Sequence, residues 1–415
     1  MKLDASTVRH PRAAHRCHRA PGELYPTVDF GSNRHVLSAI RAKIESHQRL
    51  SAAEGEYLFR PDVDLHAVGR LADAVRRHTS GRLAYYNVNS HLNPTNVCVY
   101  RCPLCAYSCD AGDPRAYVMS DEEIVARGRE AAAAGCTELH VVGGVHPAKE
   151  FSWYAGILRR LHEVCPGLHL KAFTAVEIAW FAEITGQPVG AILEELIGAG
   201  LGSLPGGGAE IFAPEVRAKI CPRKADAAAW LAVHRAAHRL GLRSNASMLY
   251  GHVETAAERI DHLLRLRDLQ DETGGFQAFI PLAFHPENTA LAEKGDCPLP
   301  CQLSHRPLPQ EGTVPFFRPS ALLDLRTVAV SRLVLDNFAH VKAYWISLGV
   351  GTAQVALCYG ADDFDGTVRH ERIHHDAGAD SPEALSVAEI RRLITEAGFE
   401  PVERDSLYRR VERRA

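Results

Sequence analysis

The 415-residue chain is 46% hydrophobic and 23% charged, the profile of an ordinary globular protein with room for two or three domains or one large barrel with additions. A formal net charge of −3 with no long Lys/Arg run argues against a nucleic-acid or membrane-surface partner, and no apolar run reaches the roughly 18–20 residues of a spanning helix. Eleven cysteines at this length are too sparse for a secreted disulfide scaffold, so the thiols are expected to be reduced, in the cytoplasm, and free to bind metal.

Residues 1–37 are rich in Arg and His, lack the apolar core of a secretory signal, and are expected to form a disordered extension. Residues 38–84 read as a helical segment, with "SAIRAKIESHQRLSAAEGEYLF" and "LHAVGRLADAVRRHTSG" ending at Gly81. From residue 85 the pattern alternates. "YYNVNSHLN" reads as a strand, and Ser120 with Glu123 opens a helix by a capping box that Gly135 closes. Strand "TELHVVGG", helix "SWYAGILRRLHEV" and strand "LHLKAFT" follow, then helix 187–199 with strand "LGSLP" and helix 224–240 with strand "LRSNASMLYG". Helix 255–271 precedes "FQAFIPLAF", helix 320–337 precedes "VKAYWIS", and a helix near 350–358 with "YGADDF" makes an eighth pair.

Strands alternating with helices at this pace predict a parallel sheet with right-handed crossovers. Seven or eight units over 85–366 fit an α/β fold of the (β/α) TIM-like barrel type, complete or nearly so with eight strands, better than an open sheet. The Pro-rich stretch 294–319, with Cys297 and Cys301, reads as an inserted loop. Residues 367–415 read as a C-terminal appendage with one helix, "PEALSVAEIRRLITEAG".

The segment "NPTNVCVYRCPLCAYSCD" follows the first predicted barrel strand and spaces Cys98, Cys102 and Cys105 as Cys-x3-Cys-x2-Cys, with Cys109 three residues further on. Soft sulfur ligands select zinc or an iron–sulfur cluster. The spacing is neither the paired zinc-finger pattern nor the bacterial ferredoxin run. Four thiolates would close a structural site and make the protein a metal-stabilised binding module. Three would leave a coordination position open for chemistry.

Location favours the open site, because loops leaving the C-terminal ends of barrel strands build active sites. "GGVHP", "TAVEI", "LPGGGAEIF", "LYGHVE" and "FHP" end five consecutive predicted strands and carry glycines, glutamates and a histidine. Glycines there let backbone N–H groups approach a ligand closely. The residues therefore point to a barrel enzyme with an iron–sulfur cluster at its mouth and a polar, glycine-lined cavity.

Cys-x3-Cys-x2-Cys after the first barrel strand resembles the signature of the radical S-adenosylmethionine (SAM) superfamily. The phrases "ELHVVGGVHP", "KAFTAVEI", "SLPGGGAEIF", "MLYGHVET", "LRDLQDETGGFQAFIPLAFHPENT" and "AVSRLVLDNFAHVKAYW" resemble its aminofutalosine synthase family, of the futalosine route to menaquinone, over roughly 38–410. Dehypoxanthine futalosine cyclase and cofactor F420 synthase subunits share the cluster motif, but the phrases around "ELHVVGGVHP" and "PLAFHPENT" are closer to the synthase. Leu104 stands where such enzymes usually carry an aromatic residue against the adenine of SAM, with Tyr107 nearby, and Val145 stands where many carry a glutamate after two glycines.

The resemblance implies a [4Fe–4S] cluster on Cys98, Cys102 and Cys105 and SAM consumed as a substrate. Gly143 and Gly144 would hold the methionine end of SAM, Glu177 and Glu254 its ribose or adenine side, with Glu210 and Arg217 as further nucleotide-side candidates. The implied reaction adds the 5′-deoxyadenosyl radical to 3-[(1-carboxyvinyl)oxy]benzoate, giving 6-amino-6-deoxyfutalosine with loss of bicarbonate or CO₂. Electrons would come from a donor such as flavodoxin or ferredoxin. Two substrate carboxylates need cations or strong donors, for which His285, Arg332 and Lys342 are the candidates.

Overall fold

The computed structural model describes residues 30–293 and 317–413. Most of the extension 1–37, the bulk of the insert with Cys297 and Cys301, and the last two residues lie outside the described residues. A helix already spans Phe30–Glu45, so helical structure begins before residue 38. It is followed by helices Ala52–Phe59 and Leu65–Ser80. The latter is set by Asp64, whose carboxylate accepts the N–H groups of His66 and Ala67, and by Val68, Leu71 and Ala72 on one buried stripe.

Ten strands follow or interleave with the remaining helices: β1 Leu83–Asn87, β2 Asn89–Leu92, β3 Glu138–Val141, β4 His169–Ala172, β5 Leu201–Leu204, β6 Arg243–Tyr250, β7 Phe276–Ala283, β8 His340–Val341, β9 Asp363–Gly366 and β10 Glu400–Glu403. Strands β2 to β8 form one parallel sheet in chain order. The expected (β/α) barrel is thus present, and its first strand is shorter than "YYNVNSHLN" suggests. That run divides at Val88, and β1 leaves for a second parallel sheet of order β10-β1-β9.

Residues 362–369 fill the gap between β8 and β2. On one side Asp362 N–H donates to Val341 O (3.0 Å) and Ala343 N–H to Asp363 O (2.7 Å). On the other, His91 N–H donates to Arg369 O (2.7 Å) and the Thr367 hydroxyl to Asn89 O (2.7 Å). The "YGADDF" unit therefore supplies the eighth position of the ring. By contrast, "VKAYWIS" is a strand only at β8 before turning into the short helix Trp345–Leu348.

Side chains alternate across each strand. Leu139, Val141, Leu170 and Ala172 are buried in the hydrophobic core, while Asn89, His91, Glu138, His140 and Lys171 line the barrel interior. Helix Ala321–Val334 packs against β7 and helix Leu65–Ser80 and is buried on all faces from Asp324 to Val334.

The C-terminal segment is more than an appendage. Its expected helix is Val387–Glu396, opened by a Ser386/Glu389 capping box. Beyond it β10 pairs with β1, and Arg404 reaches Asp363 at 2.6 Å. No described helix is long and apolar enough to cross a membrane.

Candidate active site

The cysteine loop leaves β2 and returns on itself. Cys98 N–H donates to Cys109 O (3.1 Å), and Cys109 N–H donates to Asn96 O (3.0 Å). Three arginines brace the loop through its carbonyls: Arg101 on Ser108, Arg115 on Ala106 (3.3 Å) and Arg223 on Tyr100 (3.0 Å).

Within this frame the four cysteines part company. Cys98, Cys102 and Cys105 line the barrel cavity, and none of their sulfurs has a hydrogen-bond or ion-pair partner among the described residues. Cys109 is buried at the base of the loop with its thiol 3.8 Å from Asn96 O and does not line the cavity. Burial pushes the Cys102 thiol up to about 12, against the pull of the Lys224 ammonium.

No three His, Cys, Asp or Glu side chains among the described residues converge on a single metal-ion position. Three unpartnered sulfurs lining the same cavity suit a larger sulfur-ligated cluster. The donor set fits an iron–sulfur group with three protein ligands.

The cavity holds about 290 Å³ and runs through the barrel. Gly143 and Gly144, at the C-terminal end of β3, form one wall. A Cβ on Gly144 would lie 2.2 Å from Val97 O, so only glycine lets this loop lie against the cysteine loop. Gly144 N–H donates to Thr95 O (2.7 Å), and no described backbone N–H bonds the Gly143 or Gly144 carbonyl. Gly206 plays the same part after β5, where a Cβ would sit 2.6 Å from the backbone of Ala246.

Glu177 lies in helix Ala175–Thr185, which follows β4. The helix is opened by a capping box in which Glu177 accepts the N–H (2.7 Å) and hydroxyl (2.8 Å) of Thr174. Its other oxygen accepts Gly143 N–H (3.3 Å). Burial raises its carboxyl to about 7, although these hydrogen bonds oppose the rise. The capping signature Thr-x-x-Glu is plain in the sequence and accounts for this helix.

Glu210 also lines the cavity, in an ion pair with Lys224 at 2.5 Å. Burial works against its charge, but Lys224 prevails and holds its carboxyl below the usual range. Glu210, Arg101 and Phe173 all adopt positive φ in loops at this end of the barrel (46°, 42° and 57°). Non-glycine residues in that region concentrate where a site imposes the backbone path.

Three candidates are not at the cavity. Arg217 is buried and donates to the carbonyls of Ala209 (2.7 Å), Ile211 (3.3 Å) and Ala225, bracing the glycine turn from behind. Glu254 caps its own turn through Gly251 N–H (2.5 Å) and His252 N–H (2.9 Å) and pairs with Arg259 at 2.6 Å. Arg332 pairs with Asp362 at 2.6 Å and donates to the carbonyls of Gly360 (2.7 Å), Phe338 (3.3 Å) and Ala339 (3.2 Å). With their donors and acceptors engaged inside the protein, none of the three is free for a ligand.

His285 and Lys342 do line the cavity. Burial lowers the His285 imidazole to about 4, so it is neutral at pH 7. Its Nε2 lies 2.9 Å from Ser347 O, to which the single N–H must donate, and Nδ1 is a buried acceptor with no partner. Such a ring accepts a hydrogen bond from a ligand and cannot donate one to a carboxylate, which revises its expected role. Lys342 meets Asp365 at 3.1 Å.

Two aromatic rings, Tyr100 and Tyr107, share the wall with Leu104. The Tyr107 hydroxyl donates to Thr95 O (2.8 Å), which fixes that ring beside the cysteine loop.

A model of the radical SAM superfamily matches residues 92–266, and one of the CofH/MqnC C-terminal region matches 320–414. Aminodeoxyfutalosine synthase of Thermus thermophilus is 44% identical over 90% of this chain and 96% of its own, and that of Streptomyces coelicolor is 43% identical over 92% and 94%. The chain belongs to the aminodeoxyfutalosine synthase family of radical SAM enzymes.

More distant relatives of this family include a 5-amino-6-(D-ribitylamino)uracil–L-tyrosine 4-hydroxyphenyl transferase of Methanopyrus kandleri, 37% identical over 91% of this chain and 96% of its own. The fold is shared with methylornithine synthase (TM-score 0.64, 17% identity, 87% of this chain and 97% of that one). It is shared too with the FeFe-hydrogenase maturase HydG from Carboxydothermus hydrogenoformans (TM-score 0.66, 16% identity, 91% and 82%). Radical SAM family members use a [4Fe–4S] cluster and SAM, in agreement with the three-cysteine end of the cavity.

Proposed function

We propose that the chain joins the 5′-deoxyadenosyl group of SAM to 3-[(1-carboxyvinyl)oxy]benzoate. The product is 6-amino-6-deoxyfutalosine, with loss of bicarbonate or CO₂. The observation that carries this reading is 44% identity to an aminodeoxyfutalosine synthase across 90% of the chain. A flavodoxin or ferredoxin is the proposed source of electrons.

When bound, the cluster together with SAM supplies the one-electron cleavage that yields the 5′-deoxyadenosyl radical. Cys98, Cys102 and Cys105 are the proposed thiolate ligands, and Cys109 keeps its hydrogen bond to Asn96. The Gly143 and Gly144 carbonyls are the proposed acceptors for the methionine ammonium. Glu177 acts through Gly143, whose N–H it holds. Glu210 with Lys224 is the proposed polar contact on the nucleotide side, and the His285 Nδ1 lone pair is a further acceptor. Leu249, Ile280, Leu282 and Phe284 give the cavity an apolar wall that keeps water and stray hydrogen donors from the reacting carbon.

Anaerobic incubation with SAM, dithionite and the carboxyvinyloxybenzoate, read by mass spectrometry, should give an adenosylated product lacking one carboxylate. Turnover of dehypoxanthine futalosine, or of L-tyrosine with 5-amino-6-(D-ribitylamino)uracil, with none of the benzoate would overturn the assignment.

A further inference from the structure

At the end of the cavity away from the cysteine loop, the barrel floor carries N–H donors that the protein does not use up. Glu138 opens β3 and Gly143 follows its end, so the two lie about 16 Å apart along the strand direction at ~3.3 Å per residue. On this floor Lys171 pairs with Glu138 (2.5 Å) and Lys342 pairs with Asp365 (3.1 Å), all four side chains being more than nine-tenths buried. An ammonium group carries three N–H donors. Each lysine spends one on its carboxylate and has no other hydrogen-bond partner among the described residues.

Cations that serve only the fold look different here. Arg332 and Arg217 place their donors on three or four acceptors each.

The imidazoles of His91 and His140 stack directly above, with centroids 4.7 Å apart and planes 5° from parallel. Other buried histidines of the barrel are hydrogen-bonded: His234 to Ser244, His262 to Ser247 O, His252 to Leu249 O, His285 to Ser347 O. His91 and His140 have no such partner among the described residues, and both line the cavity. Burial keeps both rings below the ordinary imidazole range, so each is neutral with one N–H to donate. The floor thus offers four ammonium N–H groups and two imidazole N–H groups beyond the two bonds that Glu138 and Asp365 accept, while Glu371, a further buried carboxylate of the cavity near His91, is held by His374 and His375.

We propose that this floor, His91 and His140 with Lys171 and Lys342, is the receptor for the aryl carboxylate of the substrate and sets the preference for a benzoate over a plain phenyl ether. The inference rests on the proposed function and deepens it. The aryl carboxylate is the end of that substrate remote from the enol ether, which must lie near the cysteine loop to meet the adenosyl carbon. A substrate held at both ends is fixed in the geometry the reaction needs.

The test compares equilibrium binding of 3-[(1-carboxyvinyl)oxy]benzoate and of [(1-carboxyvinyl)oxy]benzene to the cluster-loaded enzyme with SAM. The unaltered enzyme should prefer the benzoate by about 30-fold or more, the range of charge-assisted hydrogen bonds lost together. Lys342→Met alone would leave Asp365 buried and unpaired, so the variant used is Lys342→Met/Asp365→Asn, which removes both charges. His91→Phe keeps the stack and removes the N–H. Each should shrink the preference severalfold by weakening the benzoate alone, with SAM binding retained.

Folded variants that keep the full preference overturn the assignment while leaving the proposed function standing. An unaltered enzyme that binds SAM but neither benzoate nor phenyl ether overturns both.

Discussion

The Glu177 carboxylate bridges Thr174 N–H at 2.7 Å and Gly143 N–H at 3.3 Å, so one side chain ties the loop after β4 to the loop after β3. Glutamine cannot replace it, because its amide has one acceptor oxygen and must turn an NH₂ toward one of two N–H donors. Glu177→Gln should lose about 1–2 kcal/mol of stability and weaken SAM binding severalfold. Calorimetric titration of the cluster-loaded enzyme with SAM checks this, and unchanged affinity would refute the link from Glu177 to Gly143.

Cys109 is held by Asn96 and faces away from the cavity. Cys109→Ala should therefore bind as much iron as the unaltered chain and still cleave SAM. Cys102→Ala should do neither. Iron analysis and the EPR signal after anaerobic reconstitution decide the matter, and equal loss in both variants would mean a closed four-thiolate site.

Gly144→Ala drives a methyl group into Val97 O, against a backbone fixed by its own hydrogen bonds. Relief requires the cysteine loop to move, at a cost of about 1–3 kcal/mol. Cluster loading should fall steeply while far-UV circular dichroism stays native.

Arg332 and Asp362 are a buried pair outside the cavity. Arg332→Met should cost about 3 kcal/mol of stability by taking the guanidinium from the buried Asp362 and leaving that carboxylate to His340, Ser80 and Val341 N–H. KM for the benzoate, measured on the folded fraction at low temperature, should not change. A raised KM would return Arg332 to the substrate site.

Asp324 is buried against the Tyr250 hydroxyl at 2.7 Å, and burial raises its carboxyl from 3.8 to about 7. Between those values the folded protein holds a proton that the unfolded chain has released, so stability falls as pH rises from about 4 to 7. Asp324→Asn removes that slope and should be more stable than the unaltered chain at pH 8 by roughly 1–4 kcal/mol. Thermal unfolding across that pH range tests the sign.

The barrel was legible because strand and helix periods alternate and capping pairs such as Ser120/Glu123 mark the boundaries. The ligand cysteines were legible because spacing and position after a strand identify them without reference to distant residues. Arg217, Glu254 and Arg332 lie close in sequence to the site, yet side-chain direction depends on carbonyls brought in from other loops. Sequence proximity cannot report that.

Apart from Lys342, the cavity floor was missed for another reason. Asn89 and His91, Glu138 and His140, and Lys171 are polar residues at alternate positions on strands packed on both faces. In a parallel barrel that pattern means an inward polar lining. The role of β10 rests on pairing with β1, a strand at the far end of the sequence, and leaves no local signal.

That pairing bears on how the molecule is made. Leu83 meets Glu400, and β9 stands between the first and last strands of the ring. On a chain emerging from the ribosome, β2 to β8 can assemble in order, but the ring closes only once residues 362–369 arrive to bond both β8 and β2. Until then the polar floor is open to solvent from below. Loss of β10 would leave β1 unpaired along one edge and Asp363, at the closing segment, without Arg404, so the chamber would be less firmly closed around intact cysteines.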